Sequence, residues 1–181
     1  MRLDSSLSFV PLGAPLSLIG AAGVAINSGI IDLLGVGVGN APPSIIGNVA
    51  LFGEDVGVGD GFLIPKLIVS IGTALVTGTA ATLVVALQMA PDTATTYQPG
   101  TWQTLIASPA ITAAQGTTGA IVAGFDWPPV FPSTLRPRYA RLSFIVPAAT
   151  DFTAGTIAFA TVTSVRDLFS NKQAANNYVV A

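Results

Sequence analysis

Between residues 139 and 146 the side chains alternate along the chain. Ala140, Leu142, Phe144 and Val146 fall on one face, and Tyr139, Arg141 and Ser143 on the other. A period of two is the mark of a half-buried strand, because successive Cβ atoms point to opposite sides of a pleated backbone. Residues 82–89 repeat it, with Leu83, Val85 and Leu87 opposite Thr82, Ala86 and Gln88. Further strands are expected at 62–71, 101–107, 117–124 and 156–165, the last after a turn at 151–155. Gly, Pro and Asp turns separate these short runs, which is the pattern of a β-sandwich or barrel. The pattern therefore predicts an all-β fold. The best helical stretch, 164–175, is weak.

The organisation expected from this pattern is an extended N-terminal arm at 1–29, a β-sandwich domain at 30–170 and a C-terminal tail at 171–181. The first 29 residues are apolar but broken by Pro11, Gly13, Pro15, Gly20 and Gly23. The segment 127–132, Trp-Pro-Pro-Val-Phe-Pro, reads as a stiff connection, since each proline fixes its own φ and biases the residue before it. Gly35, Gly37 and Gly39 resemble a phosphate loop only superficially. Asn40-Ala41-Pro42-Pro43 follows, so no helix can open there to meet a phosphate.

Composition narrows the function. Charged residues make up 9% of the 181, against about 25% in an ordinary soluble protein. Such a chain has too few ionic groups to cover its surface, so some apolar surface is expected to meet a partner. Seven basic and nine acidic residues give a net charge of −2. Only Arg136, Arg138 and Arg141 cluster, and phosphate-backbone binding needs several clustered cations, so no nucleic-acid partner is expected. No apolar stretch of roughly 20 residues free of breakers is present, so no membrane helix is expected. The N-terminus makes a poor secretory signal, because Asp4, Ser5, Ser6, Pro11 and Pro15 interrupt it.

The chain has no cysteine and no histidine. Thiolate chemistry and disulfides are therefore excluded, and the commonest general base and zinc ligand are missing. The carboxylates Asp4, Asp32, Glu54, Asp55, Asp60, Asp92, Asp126, Asp151 and Asp167 read as turn formers that accept backbone N–H bonds. Glu54, Asp55 and Asp60 could hold Ca²⁺ loosely, without the spacing of an EF-hand. A Ser70–Lys66 dyad would span about 13 Å along a strand, and Lys66 reads instead as an edge charge that discourages strand pairing. The expectation is a non-enzyme without cofactor or metal.

For partner contacts the candidates are Leu7, Phe9, Leu12, Arg141, Tyr178 and Val179. All but Arg141 are apolar or aromatic residues in turn-rich terminal segments. Arg141 either meets a carboxylate across an interface or lies on the solvent face of its strand. Trp102, Trp127, Phe125 and Phe131 could line a sugar groove, although scattered aromatics in a β protein usually serve the core.

The order of several blocks resembles the cement-protein family of tailed phages, of the type found on Bordetella phage heads. These blocks are Met1-Arg2-Leu3-Asp4-Ser5-Ser6-Leu7-Ser8-Phe9, Ile30-Ile31-Asp32-Leu33, the run 83–92 around Leu87-Gln88, and Trp102-Gln103-Thr104-Leu105-Ile106-Ala107-Ser108. Arg138-Tyr139-Ala140-Arg141-Leu142-Ser143-Phe144 resembles the family's Arg-Tyr-x-Arg-Leu strand, and 155–167 its closing strand and turn. The Gly-rich 35–61 and Pro-rich 127–137 stretches depart from that pattern. The resemblance implies a jelly-roll-like domain that self-associates as a homodimer or homotrimer. It also implies binding to the major capsid protein on the outer surface of the capsid. The alternative is a receptor- or glycan-binding jelly-roll module on the virion.

Overall fold

The structure is a computed structural model that describes residues 7–20, 22–33, 44–46, 49–51, 65–93, 98–127 and 137–163. No helix occurs among them. The strands are β1 (Ser8–Val10), β2 (Leu16–Ser17), β3 (Ile26–Asn27), β4 (Ile31–Asp32), β5 (Ser44–Ile46), β6 (Val49–Leu51), β7 (Lys66–Ile71) and β8 (Thr82–Ala90). They continue as β9 (Asp92–Thr93), β10 (Gln98–Pro99), β11 (Gln103–Ala107), β12 (Ile111–Thr112), β13 (Ile121–Asp126), β14 (Tyr139–Ile145) and β15 (Thr156–Thr163).

Two antiparallel sheets form the body. The first runs β1-β15-β7-β13, with β2 also on β15. The second runs β11-β8-β14-β3, with β12 also on β8 and β4 on β14. The hairpins β5–β6 and β9–β10 pair within themselves. Both large sheets give their apolar faces to one core. Val69, Ile71, Ile157 and Val162 come from the first sheet, and Leu83, Val85, Leu87, Leu142 and Phe144 from the second. This is the sandwich solution, in which each sheet buries one face on the other.

Alternation sets the register. Strands β8 and β14 pair without a break from Tyr139↔Ala90 to Ile145↔Val84. A slip of one residue would turn Leu142 and Phe144 out of the core, so the pairing is strongly specified. The expected faces are therefore found, with one amendment. Ala86, Ser143 and Tyr139 lie opposite the core-facing residues yet are buried.

Residues 7–20 and 22–29 do not stand off as an arm. Strands β1 and β2 pair with β15, and β3 pairs with β14, so the segment passes from one sheet to the other. Phe9 and Leu18 are sealed in the core. Burying a side chain such as Phe or Leu contributes roughly 2–3 kcal/mol, which favours packing this apolar stretch on its own chain.

Other boundaries shift for local reasons. Strand β13 begins at Ile121 rather than at 117, because Ala120 donates to Thr117 C=O at 3.0 Å and Gly119 takes φ +79°. That turn uses the backbone before the ladder can. Lys66 lies on an interior strand, with β15 and β13 on either side, so it does not guard an edge. The expected helix at 164–175 and the tail lie outside the described residues.

Candidate functional site

The chain runs so that the two ends of the sandwich differ in chemistry. The starts of β7 and β14 and the ends of β8 and β13 gather at one end. There lie Asp32, Lys66, Asp92, Asp126 and Arg138. The turns at 18–25, 72–81, 113–120 and 147–155 form the other end, where Asp151 is the single charge among the described residues.

At the charged end Arg138 is 7% exposed. Its Nε donates to Asp32 Oδ1 at 3.1 Å and its Nη2 to Asp32 Oδ2 at 3.0 Å. Its Nη1 donates to Asp92 Oδ2 at 2.5 Å. The strands place these groups. Asp32 sits opposite Tyr139 across β4 and β14, and Asp92 follows β8 by two residues. Thus Asp32 and Asp92 are ion-pair partners and not only turn formers. The Asp32 hydrogen bond raises the Arg138 pKa above the ordinary arginine range, against the opposing effect of burial. Arg138 also lies over the Tyr139 ring, 5.0 Å from its centroid.

Two polar atoms in this cluster, Asp92 Oδ1 and Tyr139 Oη, are buried without a well-formed hydrogen bond among the described residues, although Asp92 acts on the phenol as a marginal acceptor. Burial pushes the Tyr139 phenol above its usual pKa, Arg138 pulls it down, and Asp32 and Asp92 raise it further. Asp126 likewise departs from the turn-former reading. It pairs with Lys66 at 2.8 Å, directly across β13 and β7.

On the outer face of the second sheet, the Arg141 guanidinium carbon stands 4.2 Å from the Trp102 ring centroid. Its Nε donates to Gln88 Oε1 at 2.9 Å, and Gln88 Nε2 donates to Thr104 Oγ1 at 3.2 Å. Arg141 thus lies on the outer face of its strand, one of the two placements expected from sequence, but half-buried on an indole rather than free in solvent. Burial lowers its pKa.

The apolar end is held by threonines. Thr77 Oγ1 accepts from Thr79 N at 3.1 Å and Ala81 N at 2.9 Å, and donates to Asp151 C=O at 2.9 Å. Thr156 Oγ1 accepts from Thr73 N at 2.8 Å. Leu75 seats against Gly116 and Gly155, where an added Cβ would overlap its side chain. With its backbone satisfied locally, this end exposes Ile19, Val24, Val76, Ile121 and Ile145.

The sequence candidates scatter. Leu12 is 69% exposed in the β1–β2 turn. Leu7 is half-buried against the core. Phe9 is buried and so presents no surface to a partner. Tyr178 and Val179 lie outside the described residues. The aromatic set does not share a groove: Trp127 is in the core, Trp102 lies under Arg141, Phe125 packs on the core and Phe131 is outside the described residues. Glu54, Asp55 and Asp60 are likewise outside. No group of three metal-binding side chains gathers among the described residues.

Sequence reasoning missed the Arg138 network, because Asp32 is 106 positions away and Asp92 is 46. No protein-family model and no curated protein matches the chain.

Proposed function

We propose that this chain is a non-enzymatic structural virion protein that binds the outside of a phage head and cements neighbouring major capsid subunits. The observation that carries the reading is the apolar end, where Ile19, Val24, Val76 and Ile121 are exposed beside a single charge, Asp151, among the described residues. A surface of that kind meets protein rather than nucleic acid. The body behind it is two sheets on one core, an architecture that jelly rolls share. In the proposal it is jelly-roll-like and associates as a homodimer or homotrimer.

Clamping needs no chemistry. A ligand that binds only the assembled shell stabilises it by mass action, by about 2.7 kcal/mol per site at a hundredfold excess over its Kd. An oligomer that touches several subunits gains again, since its second contact is intramolecular. The glycan-binding alternative loses support from the dispersal of Trp102 and Trp127 to different faces.

The test is to heat packaged heads with and without the protein and to follow DNA release. Heads that carry it should leak at a higher temperature. Equal leakage temperatures refute the cement reading, and lost host adsorption with unchanged heads favours the receptor-binding one.

A further inference from the structure

Arg141 is held more tightly than an exposed arginine needs to be. It faces Gln88 directly across β14 and β8, and Gln88 faces Thr104 across β8 and β11. The hydrogen bonds Arg141 Nε to Gln88 Oε1, 2.9 Å, and Gln88 Nε2 to Thr104 Oγ1, 3.2 Å, follow this row. Trp102 covers one face of the guanidinium at 4.2 Å. Position, tilt and one donor of the fork are thereby fixed.

What remains is the end of the fork. The guanidinium has five N–H donors, and Nε–H is used, which leaves those on Nη1 and Nη2. Among the described residues neither Nη makes a hydrogen bond or an ion pair, and neither is among the sealed polar atoms. Arg138 shows the contrast, since two carboxylates embrace it three residues earlier. Stacking and burial have removed part of the water around Arg141, and no acid among the described residues offsets that loss.

We propose that the Nη edge of Arg141, held on Trp102 and Gln88, is a carboxylate-binding site that takes an Asp or Glu side chain of a partner protein. A planar fork with two parallel donors matches a carboxylate, and pre-orientation lowers the entropy lost on pairing. A nucleic-acid backbone fits less well. Around Arg141 this face carries Ala86, Gln88, Ser143 and Ile145, and Arg138, over the Tyr139 ring, is already held by Asp32 and Asp92, whereas phosphate tracking needs several available cations. The partner's identity as a capsid subunit rests on the proposed function, but the site itself does not.

The experiment has two arms. In the first, the full chain carrying Trp127→Phe, which leaves Trp102 as the one indole, is titrated with sodium glutarate or acetate against chloride at constant ionic strength. Trp102 fluorescence is read beside the Arg141 side-chain ¹⁵N signals of the unsubstituted protein. We expect saturation at about 0.1 M or below, in keeping with a charge-assisted pair. The response should be lost in Arg141→Gln, and affinity should fall about fivefold in Arg141→Lys, which cannot offer parallel donors.

No saturable response, or the same response in Arg141→Gln, overturns the proposal. So does equal binding of inorganic phosphate with no loss in Arg141→Lys, which marks a general anion site. In the second arm, Arg141→Gln should bind heads about tenfold more weakly than the unsubstituted chain. Equal binding of heads overturns the partner assignment. Failure of the unsubstituted chain to bind heads, with the titration intact, refutes the cement reading alone.

Discussion

The two ends of the sandwich solve one problem with different chemistry. Each must satisfy the polar groups where strands stop, and each must close the core. The charged end does so with ions: Arg138 bridges Asp32 and Asp92, and Lys66 meets Asp126. The other end does so with threonine hydroxyls, which cap the turn backbone through Thr77, Thr79 and Thr156, and with Leu75 and Phe152 as apolar plugs. Neutral hydroxyls leave the adjacent surface free to be apolar, because among the described residues only one ion there, Asp151, has to stay wet. Among the described residues, concentrating charge at one end is thus what leaves an apolar face at the other.

The largest effect is expected at the apolar end. Phe152 is fully buried in the core and bridges Ile19 through its backbone. Phe152→Ala removes most of a ring from a packed site and should cost about 3–5 kcal/mol, read as a lower urea midpoint at unchanged m-value. Phe152→Leu should recover most of that. If both substitutions are mild, this end is not closed by packing and the contrast fails.

At the charged end Arg138→Met comes next, at about 2–4 kcal/mol, because two carboxylates lose their common counter-charge. The effect is discounted from that of a sealed pair, since the Asp32 and Asp92 side chains are 32% and 26% exposed. Adding Asp32→Asn and Asp92→Asn should restore a large part of the loss. Lys66→Met should cost less than about 1 kcal/mol, as expected of an exposed pair. A triple variant no more stable than Arg138→Met would show that packing of the arginine stem, not charge, governs this end.

Some of these strands were easier to read from sequence than others. Strands β8 and β14 were legible because seven or more residues keep a period of two, and long alternation leaves one register. Strands β1 to β4 were not. They are two or three residues long, are set apart from one another by Pro11, Gly13, Pro15, Gly20, Gly23 and Gly29, and pair with β14 and β15, far along the chain. Short strands carry too few alternations to show a period. The β5–β6 hairpin had a usable signal, since Gly47-Asn48 separates the apolar runs Ile45-Ile46 and Val49-Ala50-Leu51.

In the candidate site, Arg141 was legible as an outward charge on its strand. Its seat on Trp102 was not, because cross-strand neighbours two strands apart leave no trace in local spacing. The same holds for Asp32 and Asp92, whose local setting was that of turn carboxylates.

The smallest effect at neutral pH belongs to Tyr139, and it separates burial from bonding within the charged end. Its hydroxyl is buried without a well-formed hydrogen bond, Asp92 acting on it only as a marginal acceptor, which opposes folding. Tyr139→Phe removes that group and keeps the ring beneath Arg138, so stability near pH 7 should stay level or rise by up to about 1 kcal/mol. Alkali should enlarge the difference. Burial raises the phenol pKa in the folded chain above its usual value of 10.0, so the folded state holds this proton more firmly than the unfolded one. The stabilising contribution is full below the unfolded pKa and is lost as pH rises through the folded pKa. The unsubstituted protein should therefore lose stability above about pH 10 more steeply than Tyr139→Phe. Denaturant melts at stepped alkaline pH, beside phenolate absorbance, read both halves. A substitution that destabilises at pH 7 would reveal a bond to the hydroxyl, and parallel pH profiles would show that the phenol titrates alike in both states.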